Sequence, residues 1–260
     1  MATQEHSANS SGSYDDSHHG SRNANVTTAR NSTTSTWDNQ GSTSGFMPTN
    51  YLQAGHSQWA SFGGGTTNQV YRAFLSFPLG LGDWGGETIN SVSLRLHQLT
   101  DLSSFFQTWS AEGSFYVVKG TGAAAYTANT AWNDLDGWVS SGTYEGNVTK
   151  FSDAVSCSSN TTYNIDLNSD AVAAVQTMAD NMAGGATLDH LHIALIHDSD
   201  WTDSGYPDTG SGLGTFEGAY LANMEHSTSS LRPLLTVTYG ESESEEESVT
   251  HNSVFFGANF

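Results

Sequence analysis

Ser91-Val92-Ser93-Leu94-Arg95-Leu96-His97 sets Val92, Leu94 and Leu96 on one side of an extended chain and its polar residues on the other. Successive side chains of a strand point to opposite faces, so this period-two pattern predicts a half-buried strand rather than a helix. Tyr71-Arg72-Ala73-Phe74-Leu75-Ser76-Phe77 alternates in side-chain direction in the same way. Working outward, further strands are predicted at 114–118, 162–167, 191–196 and 234–239, separated by clusters of Gly, Asn, Asp and Ser that read as turns. Short strands of this kind pair as an antiparallel sheet with one face on a core. One helix interrupts them, at 169–182, where Val172, Val175, Met178 or Ala179, and Met182 recur at helical spacing. Ser169 reads as its N-cap and Gly184-Gly185 as its stop, and its methionines read as packing against one end of the core.

The bulk composition fits that pattern. Apolar residues make up 36% of the 260, and the shortfall is filled by Ser, Thr, Asn and 27 Gly rather than by charge, which suits short strands joined by many turns. The formal charge is −20, from 27 acidic residues against seven basic ones, of which only Lys119 and Lys150 are lysines. Nucleic acid is therefore not an expected partner, because phosphate binding needs a basic face. An acidic surface of this kind keeps a protein hydrated in concentrated salt and points to a halophilic or marine source, although it also aids solubility in general. The single cysteine, Cys157, excludes an internal disulfide and reads as inert. No run of about 18 apolar residues is present to insert in a membrane. The first twenty residues carry neither the charged nor the apolar region of a secretory signal, a combination expected of a virion component released by lysis.

Three regions follow from composition. Residues 1–36 contain almost no aliphatic side chains and read as a polar, extended N-terminal arm that would drape over neighbours, being unable by itself to offset the entropy of ordering. Residues 37–240 form the sandwich. Residues 241–260 open with five glutamates within 241–247, a solvated linker, and close with an aromatic tail. Val254, Phe255, Phe256 and Phe260 in that tail are the candidate docking residues, filling a groove on a partner or sister subunit; the alternative is a last strand folding back on its own domain.

Four segments resemble the DNRLRE domain, a jelly roll of carbohydrate-binding type found in microbial surface proteins, secreted polysaccharide-active proteins and some phage structural proteins. Asn50-Tyr51-Leu52-Gln53-Ala54-Gly55 is similar to the family's opening element. Arg72-Ala73-Phe74-Leu75-Ser76-Phe77-Pro78-Leu79 followed by Ile89-Asn90-Ser91-Val92-Ser93-Leu94-Arg95-Leu96 is similar to its central signature. Thr130-Ala131-Trp132-Asn133, with Tyr163-Asn164-Ile165-Asp166-Leu167, matches a third, and Leu231-Arg232-Pro233-Leu234-Leu235-Thr236-Val237-Thr238-Tyr239 its closing strand. Their order over roughly residues 40–239 carries the resemblance, which implies a jelly-roll β-sandwich and a binding role but does not fix the function.

The chemistry-bearing residues divide into several groups. Asp198, Asp200, Asp203 and Asp208 lie in one acidic stretch, and Asp side chains with carbonyls can supply the six to eight oxygens calcium takes. The spacing is not that of an EF-hand, and a bare solvated loop explains it as well. Trp138, Trp201 and Tyr206 lie among Gly, Ser and Asp, where flat aromatics could stack on sugar rings; Trp132 reads as core. His190 and His192 share one strand face and His197 falls on the other, which argues against zinc. Neither a serine elbow, a zinc-protease motif nor a phosphate loop is present, and Asp200 with Asp203 could in principle be the pair of carboxylates that a glycosidase holds at a defined separation. Sequons at Asn25, Asn31, Asn147 and Asn160 arise readily by chance in so polar a chain.

The expectation is thus a non-catalytic structural or decoration protein of a virion surface, anchored by its terminal arms. Its partners would be itself and other surface-assembly proteins, with no cofactor required unless the acidic loop takes calcium. The alternative is a carbohydrate-binding module that recognises a host-surface or matrix polysaccharide through the 130–140 and 198–208 loops.

Overall fold

A computed structural model of the chain describes residues 1–8, 17–32, 37–40, 51–60, 66–80, 84–100, 108–122, 132–186, 188–204, 206 and 215–240. The fold is an all-β sandwich of two sheets. The smaller has four antiparallel strands: β1 (Ala2–Ser7), β13 (Leu234–Tyr239), β6 (Ile89–His97) and β10 (Thr162–Asp166), in that order. The larger is curled into a half-barrel. It runs β7 (Thr108–Ser110), β12 (Thr215–Ala222), β4 (Tyr51–Ala60), β5 (Thr66–Gly80), β11 (Leu188–His197), β8 (Ser114–Lys119) and β9 (Val155–Ser156). Two further strands join it, β2 (Ser17–Asn23) along Asn68 to Phe74 of β5, and β3 (Trp37–Gln40) along β2. All pairings among the described strands are antiparallel except that of β7 with β12.

Burial follows the predicted alternation where a strand has one wet face. In β6 Val92, Leu94 and Leu96 enter the core between the sheets, and Leu235 and Val237 of β13 meet them from the neighbouring strand. In β5 and β4 both faces are covered, so the alternation is between two cores rather than between core and water. Ala73, Leu75, Phe77 and Leu79 pack between the sheets. On the opposite face Val70 and Phe74 join smaller clusters built with Trp132, Tyr144, Ala194, Ile196 and Trp201. Arg72 lies between them on that second face, and this placement creates the site described below.

The predicted helix is α2 (Ser169–Ala183), which buries Ala171, Val175, Ala179 and Met182 at one end of the sandwich. Its N-cap is Asn168 rather than Ser169: the Asn168 side chain accepts from the N–H groups of Asp170 and Ala171, two of the donors that a helix start leaves open. Two short helices escaped the sequence reading, α1 (Val26–Arg30), capped by Asn25, and α3 (Asp198–Thr202), capped by the His197 ring.

The described parts of residues 1–36 belong to the chain's own sheets and helices. β1 pairs with β13 from Ala2 opposite Tyr239 to Ser7 opposite Leu234, β2 pairs with β5, and α1 drives Arg30 into the interior. Backbone pairing and a few anchors do this without an aliphatic face. His6 stands edge-on to Trp84 at 5.9 Å, and Ala8 joins the main core. The acidic linker and the aromatic tail, including Val254, Phe255, Phe256 and Phe260, lie outside the described residues. No helix of the described residues is long and apolar enough to cross a membrane.

Candidate functional site: a sealed arginine–aspartate centre

Four segments distant in sequence meet on the second face of β5. The strand presents Arg72, α1 presents Arg30, α3 presents Asp200, and the stretch from 132 to 148 brings Trp132 and Tyr144. Arg30, Arg72 and Asp200 are each 0% exposed. A charge can be held there only if it is paired and hydrogen-bonded.

The Asp200 carboxylate grips Arg72 through both oxygens, with Nε donating to Oδ2 at 2.7 Å and Nη2 to Oδ1 at 2.9 Å. This two-pronged contact matches the planar fork of a guanidinium. The remaining Arg72 donors reach the Trp132 carbonyl at 2.7 Å, the Arg30 carbonyl at 3.2 Å and the Tyr144 hydroxyl at 2.5 Å. Its guanidinium lies 4.0 Å from the centre of the Trp132 ring. Burial by itself would lower the Arg72 pKa, but the adjoining Asp200 charge more than reverses this and holds it above its ordinary value.

Arg30 completes the centre. Its Nε donates to the Asp200 carbonyl at 2.8 Å and sits 3.2 Å from Asp200 Oδ1, while Nη1 donates to Asn31 Oδ1 at 2.7 Å. Asp203 adds a longer contact of 3.7 Å from a partly exposed position, and Tyr144 lies 4.2 Å below the guanidinium. Burial raises the Tyr144 hydroxyl to about 12, so it stays protonated beside its charged neighbours. Arg30, Arg72 and Asp200 are sealed from solvent and paired with one another, and Arg30 Nη2 is the one guanidinium nitrogen of the centre with no hydrogen-bond partner among the described residues. The centre ties the N-terminal segment, β5, α3 and the 132–148 stretch into one unit.

This placement redistributes the residues singled out from sequence. Trp201, expected as an exposed sugar platform, is 1% exposed. Its ring tilts against Tyr116 at 4.8 Å and its Nε1 donates to Glu145 Oε2 at 3.0 Å. Tyr206 is half-buried against Ala29, Val70 and Trp132, and stands edge-on to His56 at 5.3 Å. Trp138 is half-buried against the cluster that holds Trp201. The three do not form one exposed aromatic platform. Trp132 is core, as expected.

The described carboxylates of the acidic stretch, Asp198, Asp200 and Asp203, do not converge on one point either. Residues two apart on a helix face opposite ways, so α3 sends Asp198 and Asp200 in different directions. Asp198 Oδ2 accepts from the Ser114 N–H at 2.9 Å, Asp200 turns inward to the arginines, and Asp203 closes the helix in the left-handed region, at φ 54°. Asp208 lies outside the described residues. Among the described residues no group of three or more His, Cys, Asp or Glu is placed to hold a metal ion. Asp200 and Asp203 cannot serve as a glycosidase pair, since Asp200 is sealed and salt-bridged.

An open pocket of about 390 Å³ lies beside α3, lined by Glu112, His197, Asp198, Ser199, Thr202, Ser204 and Glu217. Burial, with Glu112 and Asp198 nearby, raises the Glu217 carboxyl above its ordinary value. The His197 ring is fully engaged there, meeting Ser199 Oγ at 2.8 Å and the Glu112 carbonyl at 3.1 Å. His190 and His192 do share a face of β11, with rings stacked 5.8 Å apart and 11° from parallel.

Sequence reasoning passed over Arg30 and Tyr144, and took Arg72 only as part of a strand motif. The one available signal was an arginine flanked by Val70, Tyr71, Ala73 and Phe74 in a chain with seven basic residues, since a cation amid such neighbours needs a buried counter-charge. No family model matches this chain, and a search of curated proteins finds no match.

Proposed function

We propose that this chain is a non-catalytic structural protein of a virion or extracellular surface, a decoration-type sandwich whose work is to bind into an assembly. The observation that supports this reading is the sealed centre: Arg30, Arg72 and Asp200, gathered from three distant segments, are fully buried and paired with one another, as in a structural staple rather than a reactive site. The acidic composition suits a surface that faces salt water.

Because residues 1–36 contribute strands and a helix to the chain's own sandwich, anchoring falls to the C-terminal tail. Removing residues 248–260 leaves the sandwich folded and abolishes incorporation into purified surface particles, measured by mass spectrometry of the particles; undiminished incorporation overturns the reading. Polysaccharide recognition draws less support, since Trp201 is buried and Tyr206 packs inward. A glycan array is expected to stay silent, and a signal abolished by Trp138→Ala would replace the structural reading with the carbohydrate-binding one.

A further inference from the structure

Among the described residues one edge of the smaller sheet is open. β10 pairs with β6 on one side only and ends the sheet. Gln98 N–H donates to the Thr161 carbonyl and Leu167 N–H to the Val92 carbonyl, so the odd residues of β10 turn their backbone toward β6. In an antiparallel ladder the even ones then face away, and Thr162, Asn164 and Asp166 present N–H and C=O groups that no described strand pairs. Those groups border a slot of about 440 Å³ between this edge and the segment from Ser152 to Val155, beside the short edge strand β9 of the other sheet. Tyr163, Ile165 and Val155 form its apolar side. An unpaired edge next to a side-chain slot is the geometry that accepts an added strand, in which main-chain bonds give affinity and alternate side chains give specificity.

The chain carries a segment of that form. Read at period two, residues 253–260 place Val254, Phe256, Ala258 and Phe260 on one face and Ser253, Phe255, Gly257 and Asn259 on the other. We propose that this C-terminal segment of a second copy adds as a strand along β10, with Phe256 and Phe260 directed into the slot. The proposal rests on the structural reading above and names the partner of the docking tail as another copy of this chain.

Charge favours the second copy over the chain's own slot. The described chain ends at Gly240, hydrogen-bonded to Thr88 at the end of the smaller sheet where α2 packs. To reach its own slot, the linker with five glutamates within 241–247 would cross Glu87, Asp166 and Asp170 at that end, where like charges repel. At the opposite end of β10 the rim is Ser158, Ser159, Asn160 and Thr161, which are uncharged, so a strand entering there meets only the slot's own carboxylates, Asp153 and Asp166. The twelve residues 241–252 span up to about 40 Å when extended, enough to present the tail to a neighbour from that side.

The test uses the full-length protein with Cys157→Ser. Asn164→Cys is combined with a cysteine at Phe255, Gly257 or Asn259 in turn, which face the same side as Asn164 in the added strand. Mild oxidation is followed on non-reducing gels. Disulfide-linked dimers and longer chains, abolished by Phe256→Asp with Phe260→Asp, are the expected result. A linked monomer alone overturns the assignment to a second copy, and no linkage at any of the three positions overturns the slot as the receptor. These outcomes need no particle: linked multimers beside unimpaired incorporation of the tail-less protein would sink the proposed function and leave the slot standing.

Discussion

Asp200→Asn is the most direct probe of the sealed centre. The change keeps the size of the side chain and removes the full negative charge that lies 2.7 Å from Arg72 and 3.2 Å from Arg30. Two guanidinium groups then remain in the interior with the partly exposed Asp203, 3.7 Å from Arg30, as the closest carboxylate. Leaving a buried charge uncompensated costs about 3–5 kcal/mol. A domain's net stability is only about 5–15 kcal/mol, so the loss is a large part of the whole. For a chain of this size each kcal/mol moves Tm by about 2–4 °C, which gives a fall of about 6–20 °C. The assay is guanidinium and thermal unfolding followed by tryptophan fluorescence, since Trp132 and Trp201 adjoin the centre. Arg30→Met in the Asp200→Asn background removes the surplus positive charge and is expected to cost less than the sum of the single changes by about 1 kcal/mol or more. A loss below about 1 kcal/mol for Asp200→Asn, at unchanged denaturant slope, would refute the reasoning, because it would mean that water reaches the charges.

Three further outcomes are expected. Burial lowers the pKa of His56 and His192 to about 4 and lowers those of His6 and His97 as well, so these rings stay neutral when folded while the unfolded chain takes up protons below about pH 6.5. Stability is then full above that pH and falls as the pH drops toward 4, by at most about 3 kcal/mol from His56; urea midpoints between pH 7.5 and 4.5 that shift equally in wild type and His56→Gln would contradict this. Gly218→Ala should destabilise by about 1–3 kcal/mol or more, since Gly218 has φ +137° and a Cβ there would lie 2.3 Å from the Ala54 carbonyl oxygen, opposite its register partner Gly55. Calorimetry checks it, and a change within about 0.5 kcal/mol would show that the two strands separate freely. Cys157, whose thiol burial pushes up to about 12, should resist iodoacetamide at pH 8 and react fully in 6 M guanidinium; equal rates would place the thiol in open solvent.

Much of the fold was legible because strand patterning is local. β6 and β13 each have one wet face, so their alternation survives in the sequence as apolar against polar. β4 does not read this way: Tyr51 to Ser57 are buried on both faces, and Gly55, His56 and Ser57 in its middle look like a loop until the neighbouring strands are in place. β1 and β2 are harder still. They are held largely by backbone pairing with β13 and β5, which leaves no mark on side-chain composition, and so residues 1–36 read as an unattached arm. The N-cap of α2 was missed by one residue, Asn168 and Ser169 being equally plausible caps from sequence alone.

By itself, the sequence determined the strand-rich class, the single long helix, the acidic charge balance, and the run of five glutamates within 241–247 ahead of Phe255, Phe256 and Phe260. Each of these depends on residue type and on spacing within a few positions. Only the tertiary structure decided which polar residues belong together. Arg30, Arg72 and Asp200 are up to 170 residues apart, and nothing local announces their pairing. The carboxylate of Asp200 reads as loop chemistry until α3 turns it inward, away from Asp198, and Trp201 reads as a platform until Tyr116 covers it. The reason is that a side chain's chemistry follows its type, whereas its solvent, its charge partners and therefore its role are set by neighbours that only the folded chain supplies.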